Sequence, residues 1–228
     1  MRRKKTVIYL FLFTVLTTGS QSVLSDDLYA FGGLGDVMKK VPGMDGGDAP
    51  DMSGTKTELV KHFSESSLHY MEALHYLNLA LGQDAAAQKI LAGIDYAKNS
   101  KNSAEDLMAN SIKVTDEASE GIESSMQGGS IKLSVESKVL YARGLPPAGK
   151  GVVSTIKLVP VSQNMVTTIQ ANPMSAIDQL GGLAKIIPSI PKYITNLTKT
   201  MKLVLTVAEA NDVDGTKDLS DKLADLPD

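Results

Sequence analysis

Residues 183–208 read LAKIIPSIPKYITNLTKTMKLVLTVA, in which Leu183, Ile187, Ile190, Ile194, Leu197, Met201, Val204 and Ala208 recur at alternating steps of four and three. That spacing is the seam of a helix packed lengthwise against another. Lys185, Lys192 and Lys199 repeat every seven residues on the opposite side, where water solvates them. Pro188 and Pro191 stand early in the run, where a first helical turn tolerates proline. A chain that ends in such a seam needs partner helices, and the upstream sequence supplies them.

Thr55 and Glu58 have capping-box spacing and open a helix that runs to about Leu81, where Gly82 stops it. Asp84 caps the next segment. Ile90, Ile94, Ala97, Ala104, Met108, Ile112, Thr115, Ala118, Ile122 and Met126 keep helical spacing along it, with no proline or glycine pair before Gly128 and Gly129. Read as one continuous helix of about 40 residues, it would be roughly 60 Å long. Residues 130–143 (SIKLSVESKVLYAR) alternate like a strand and also fit a helical face. With no partner strand elsewhere, they read as helix. The stretch GLPPAGKG at 144–151 reads as a hinge, Val152–Ala171 as a helix kinked at Pro160, and Asn172 with Pro173 as the start of another helix.

The expected fold is therefore all-α, an elongated antiparallel bundle of about four to six helices over residues 55–211. A flexible leader precedes it at 26–54, where glycine, aspartate and proline break every period, and an acidic tail follows at 212–228. Residues 1–25 (MRRKKTVIYLFLFTVLTTGSQSVLS) put Arg2, Arg3, Lys4 and Lys5 ahead of an apolar run from Val7 to Leu16. That is the layout of a signal peptide, with cleavage expected after Ser22 or Ser25 and a periplasmic or secreted product. The run is shorter than the roughly 20 residues that span a bilayer.

Composition narrows the function classes. The chain has no cysteine, so an exported product has no disulfide and no thiolate chemistry. Removing residues 1–25 leaves 19 basic and 26 acidic residues, a net charge of −7, with Arg143 as the one remaining arginine. Nucleic acid is not an expected partner, because arginine and aromatic side chains carry most of its recognition and tryptophan is absent.

Residues 62–76, HFSESSLHYMEALHY, contain His62, His69 and His75, all the histidines of the chain. On a helix Leu59, Phe63, Tyr70, Leu74, Leu77 and Leu81 form the core side, and His62, Glu65, His69, Glu72 and Tyr76 form a stripe expected to face water. Glu72 and His75 have the Glu-x-x-His spacing of a carboxylate metal centre, but no second such pair exists to complete one. The segment 209–221, EANDVDGTKDLSD, places Asp212, Asp214, Gly215, Asp218 and Asp221 near calcium-loop spacing. Ala210 holds the first ligand position and Asp221 replaces the bidentate glutamate, so an acidic helix stop and frayed tail is the reading. No G-x-S-x-G elbow occurs. No catalytic, cofactor or metal residue is assigned, and the chain reads as a non-enzyme.

Charge is partitioned along the chain. Residues 26–144 hold 18 acids and 11 bases, residues 145–208 hold six lysines and the single acid Asp178, and residues 209–228 hold seven acids and two lysines. In one reading the basic helices pack on the acidic ones, giving an exported interaction or envelope-structure protein whose partner is another envelope or extracellular protein. In the other, a hinge at 145–151 lets the basic, apolar half lie on an anionic membrane surface.

Overall fold

The structure is a computed structural model that describes residues 51–99, 101–126 and 131–226, all within the unit Ala49–Asp228. The proposed signal peptide, and the leader up to residue 50, lie outside the described residues. The helices are α1 (Ser53–Ala80), α2 (Asp84–Ala97), α3 (Ala104–Met126), α4 (Val135–Ala171), α5 (Pro173–Leu180), α6 (Leu183–Ile186), a 3-10 turn (Ile187–Ser189), α7 (Ile190–Ala210) and α8 (Thr216–Ala224). Among the described residues there is no strand.

Small residues set the central contact. On α4, Gly144, Ala148, Gly151 and Thr155 recur at steps of four, three and four, and on α1 Ser66, Tyr70, Ala73 and Leu77 do the same. The two rows face each other with the helices antiparallel. A β-carbon on Gly144 would lie 3.1 Å from Leu77 Cγ and 3.2 Å from the Ala73 carbonyl oxygen, and one on Gly151 would lie 3.5 Å from the Tyr70 nitrogen. At the other end the Ser66 and Thr155 hydroxyls meet at 2.7 Å. The stretch 144–151 is thus not a hinge but the interior of a 37-residue helix, and the glycines serve close approach. Pro146 and Pro160 are exposed on α4, and Pro147 is half-buried, so much of the backbone they leave unbonded is turned toward water.

Cross-chain bonds fix the other directions. His75 of α1 meets the Ala87 carbonyl of α2, Lys98 just beyond α2 meets Glu72, and so α2 runs against α1. Tyr70 reaches Ser119 of α3, and Phe63 and Tyr193 pack with ring centroids 5.1 Å apart and planes tilted by 44°, so α3 and α7 run with α1. The Tyr141 hydroxyl of α4 donates to the Val204 carbonyl of α7 at 3.0 Å. Three helices run one way and two the other, as an antiparallel bundle requires.

Several boundaries differ from those expected. α1 begins at Ser53, two residues before Thr55, and Asp51 Oδ1 accepts from the Ser53 N–H at 2.9 Å where a Thr55–Glu58 box was expected. Asp84 is the first residue of α2 and caps nothing through its side chain. The continuous helix expected over 84–126 is two antiparallel helices. α2 ends at Ala97 and Ser103 starts α3 afresh as its N-cap, since its hydroxyl accepts from the Asp106 N–H at 3.1 Å and donates to the Asp106 carboxylate at 2.7 Å. Residues 131–134 are non-helical, held by Asn211, and Ser134 caps α4 through the Ser137 N–H. The expected frayed tail contains α8, docked through buried Leu219 and Leu223.

The 183–208 seam is buried as read, but α6, the 3-10 turn and α7 carry it where one helix was expected. All its residues are buried except Ile194, which is half-buried. Pro188 is the second residue of the 3-10 turn and Pro191 sits in the first turn of α7. Gly144→Val is expected to lower stability by about 1–3 kcal/mol through overpacking, several degrees in a melt followed by circular dichroism. Gly54→Ala, in an exposed helical turn with nothing within 4 Å of the new carbon, is expected to raise it by up to about 1 kcal/mol. Leu197→Asp places a carboxylate at a core position, and is expected to cost several kcal/mol of a total near 5–15, so that far-ultraviolet dichroism shows an unfolded or partly folded chain.

Candidate functional site

The histidine stripe is the first place to look for chemistry. α1 carries His62, Glu65, His69, Glu72 and Tyr76 down one side, and each of them is half-buried where an exposed face was expected. The cause is the position of α1, which is packed by α2, α3 and α4 together. His69 Cβ, for example, lies 3.7 Å from the place of a β-carbon on Gly151. His62 Nδ1 stands 3.6 Å from Glu65 Oε2 without hydrogen-bond geometry, and His69 Nδ1 is 3.3 Å from Glu72 Oε2, whose other oxygen meets Lys98 at 3.6 Å. His75 Nδ1 lies 3.0 Å from the Ala87 carbonyl oxygen, which requires the proton on Nδ1. His69 and Glu72 are therefore committed to each other and to Lys98, and His75, beside the stripe, to α2, while His62 Nδ1 makes no hydrogen bond. Among the described residues no three His, Asp or Glu side chains converge on one point as a metal site would need.

The acidic segment after α7 is also occupied by folding. Asp212 and Gly215 have positive φ values of 50° and 91°, the Val213 N–H donates back to the Ala208 carbonyl, and Asp218 pairs with Lys222 at 2.6 Å. Asn211 turns inward and bonds the Ile131 and Val207 carbonyls. These residues make the α7–α8 turn.

Inside the bundle three tyrosines are buried among α1, α3, α4 and α7. The Tyr70 hydroxyl is 3.1 Å from Ser119 Oγ, and Tyr141 donates to Val204. The Tyr193 hydroxyl makes no hydrogen bond of good geometry, although Ser66, which bonds Thr155 at 2.7 Å, lies near it. Burial raises the Tyr70 phenol to about 12, the Ser119 bond only partly offsetting it. Burial raises Tyr141 and Tyr193 further. These groups stay protonated and neutral, which suits a packed core and gives no activated nucleophile.

What remains is a surface. The outer side of α4 exposes Val139, Arg143, Pro146, Lys150, Val153, Lys157 and Pro160, again at steps of four and three. Val135 is 76% exposed and Val139 51%. From Ser137 to Ile177 the chain has no acidic residue. By sequence, residues 145–208 as a whole are basic and apolar. The structure buries the apolar seam of α6 and α7, pairs Lys199 with Glu123 at 2.7 Å, and leaves the combination of apolar and cationic side chains in the open on α4.

Comparison of the chain with protein-family models, with curated proteins and with solved structures finds no match.

The buried tyrosines set an alkaline limit. An unfolded tyrosine loses its proton near pH 10, whereas the folded forms hold theirs to higher pH, so the contribution of these tyrosines to stability is constant below about pH 9.5 and falls above it. For Tyr70 the loss continues to about 12. With three such groups the slope is expected to approach about 4 kcal/mol per pH unit, at about 1.4 for each. Urea denaturation between pH 8 and 11.5 measures it. Tyr193→Phe is expected to remove about a third of the slope and to leave stability at pH 8 no lower, since it deletes an unpaired buried hydroxyl.

Proposed function

We propose that the chain is an exported, non-catalytic helical-bundle protein that acts by binding another envelope or extracellular protein, using the outer side of α4. The observation that carries this reading is the exposed row of valines and prolines flanked by Arg143, Lys150 and Lys157, on a helix whose one acid, Glu136, stands in the first turn before the row. The rest of the exported chain is net acidic, so a basic row of this length is a local feature with a matching partner surface: an acidic amphipathic helix. Such a helix lays apolar side chains between Val139 and Val153 and its carboxylates beside the lysines, as helices at a heptad seam do. Export rests on the arrangement of residues 1–25.

A second reading, adsorption to an anionic membrane, draws on the same cations. It has less apolar surface to use than the sequence suggested, because the Leu183–Ala208 seam is buried. Among the described residues no helix is long and apolar enough to cross a membrane.

Placing a photo-crosslinking residue at Val153 and irradiating the native envelope fraction is expected to give a defined adduct with an acidic protein, lost when Lys150 and Lys157 are both changed to Glu. These charge changes lie on an exposed face and are expected to shift the melt by less than about 0.5 kcal/mol. Co-sedimentation of the unmodified chain with anionic vesicles, abolished by the same double change and without any protein adduct, would favour the membrane reading instead.

A further inference from the structure

The C-terminal helix α8 packs on α4 and α7 together, and little holds it there. Before its first turn, the place of a β-carbon on Gly215 is 3.8 Å from Leu145 Cδ1 of α4. One turn further along α4, a β-carbon on Gly149 would stand 3.1 Å from Lys222 Cδ and 3.3 Å from Asp218 Oδ2. α8 therefore runs with α4, from Leu145 past Gly149, and the bare backbone at Gly149 makes room for the Lys222 stem. Leu219 and Leu223 turn inward and are buried, while Lys217, Asp218, Asp221 and Asp225 are exposed. Among the described residues no hydrogen bond or ion pair joins α8 to α4 or α7, since Asp218 and Lys222 pair with each other at 2.6 Å.

A helix of nine residues is too short to persist by itself, so two leucines decide whether α8 forms. The pivot for its release is also set. Val213 is buried with its N–H on the Ala208 carbonyl, and Asn211 is tied to Ile131, so the chain is fixed as far as Val213 and turns at exposed Asp214 and Gly215. In chemical terms α8 carries leucines four apart on one side and carboxylates on the other. It is an acidic amphipathic helix, the class of partner that suits α4, and it is an imperfect one. Residues 217–225 hold three acids and two lysines, a net charge of −1. Asp218 is spent on Lys222, and Lys150 and Lys157 of α4 make no ion pair among the described residues.

We propose that α8 is a resident stand-in for the partner's helix: the groove it fills between α4 and α7 is the partner's seat, and an acidic amphipathic helix without lysines displaces α8 from it. The seat extends the α4 docking surface and rests on that reading. The incoming helix sets its apolar side against Leu145 and Gly149, which α8 otherwise covers, and its carboxylates beside Lys150 and Lys157, which α8 leaves unpaired. Exposed Val153, one turn beyond Gly149, lengthens the seat. Binding and release of α8 are then one exchange, and the free chain keeps the groove closed.

The test titrates the full chain with a fluorescent peptide of about three heptads, leucine at a and d and glutamate at e and g, followed by anisotropy and by nitrogen–proton correlation spectra. Binding is expected to move the backbone amides of residues 219–224 to the positions of an unstructured chain and to leave those of α2 in place. Leu219→Ser with Leu223→Ser unseats α8 and is expected to tighten binding at least about tenfold, because the seat is no longer occupied. Asp221→Pro, at an exposed interior position of α8, is expected to do the same, and it serves if the serine variant fails to fold. Lys150→Glu with Lys157→Glu is expected to abolish binding. Peptide binding that leaves the α8 amides unmoved, or an affinity unchanged in both release variants, overturns the proposal and leaves the α4 reading standing. A peptide that binds no form of the chain also overturns it, and the envelope adduct at Val153 then decides the α4 reading separately. A release variant that dimerises through the bared groove gives the seat to a second copy and overturns it as well.

Discussion

The arrangement depends on how closely the backbones of α1 and α4 approach. Helices that meet through leucines keep their axes apart, whereas glycine and alanine at Gly144, Ala148 and Gly151 let one main chain lie against the other. The Ala73 carbonyl and the Tyr70 nitrogen are both within about van der Waals distance of where a β-carbon would stand on α4. This puts α1 at the centre. Its remaining sides are then available to α2, α3 and α7, which cover it with Ile90, Met108, Ile122 and Tyr193. The same closeness half-buries the histidines and leaves the outer side of α4 uncovered.

Charge plays a smaller part than the sequence partition suggests. The acidic α3 and the basic α7 run side by side, with Glu123 against Lys199 and Asp116 accepting from Asn196 at 3.2 Å. The Glu105 carboxylate fills the space beside Gly182. These contacts are largely at the surface, where an ion pair contributes about 0–1 kcal/mol. They fix which helix neighbours which more than they hold the bundle together. The apolar seam of α7 does the latter, and with that seam in the core the basic half of the chain has little left to offer a lipid surface except α4.

Much of the fold was legible because burial leaves a period. The seam from Leu183 to Ala208 and the core side of α1, from Leu59 to Leu77, are both as spaced in the sequence. The failures have a common origin: short polar or small residues carry two meanings. Glycines and prolines at 144–151 signal a break when counted as propensities, yet the four-three-four spacing of Gly144, Ala148, Gly151 and Thr155 signals a contact. Ser103 and Asp106 have the spacing of a cap but lie inside an apolar period that continues across the turn, which concealed the corner between α2 and α3. The stripe from His62 to Tyr76 reads as fully exposed because its residues are polar; only the number of helices around α1 shows that it is half-buried. For the groove under α8 the sequence offers no signal, since Leu219 and Leu223 are too few to mark a period in an acidic tail.

The composition of α4 bears on how the bundle comes apart. Three prolines and three glycines within one helix lower its intrinsic stability by roughly 12 kcal/mol relative to alanine, far beyond what an isolated segment recovers. α4 is therefore helical only while α1 holds it, and α1, with buried polar residues Ser66, Ser67 and Asn78 on its packed sides, has little reason to remain folded without α4. Neither half can persist alone as a partly folded species. Opening is thus concerted, and the slowest-exchanging backbone amides of α1 and α4 should share one opening free energy, that of the whole domain.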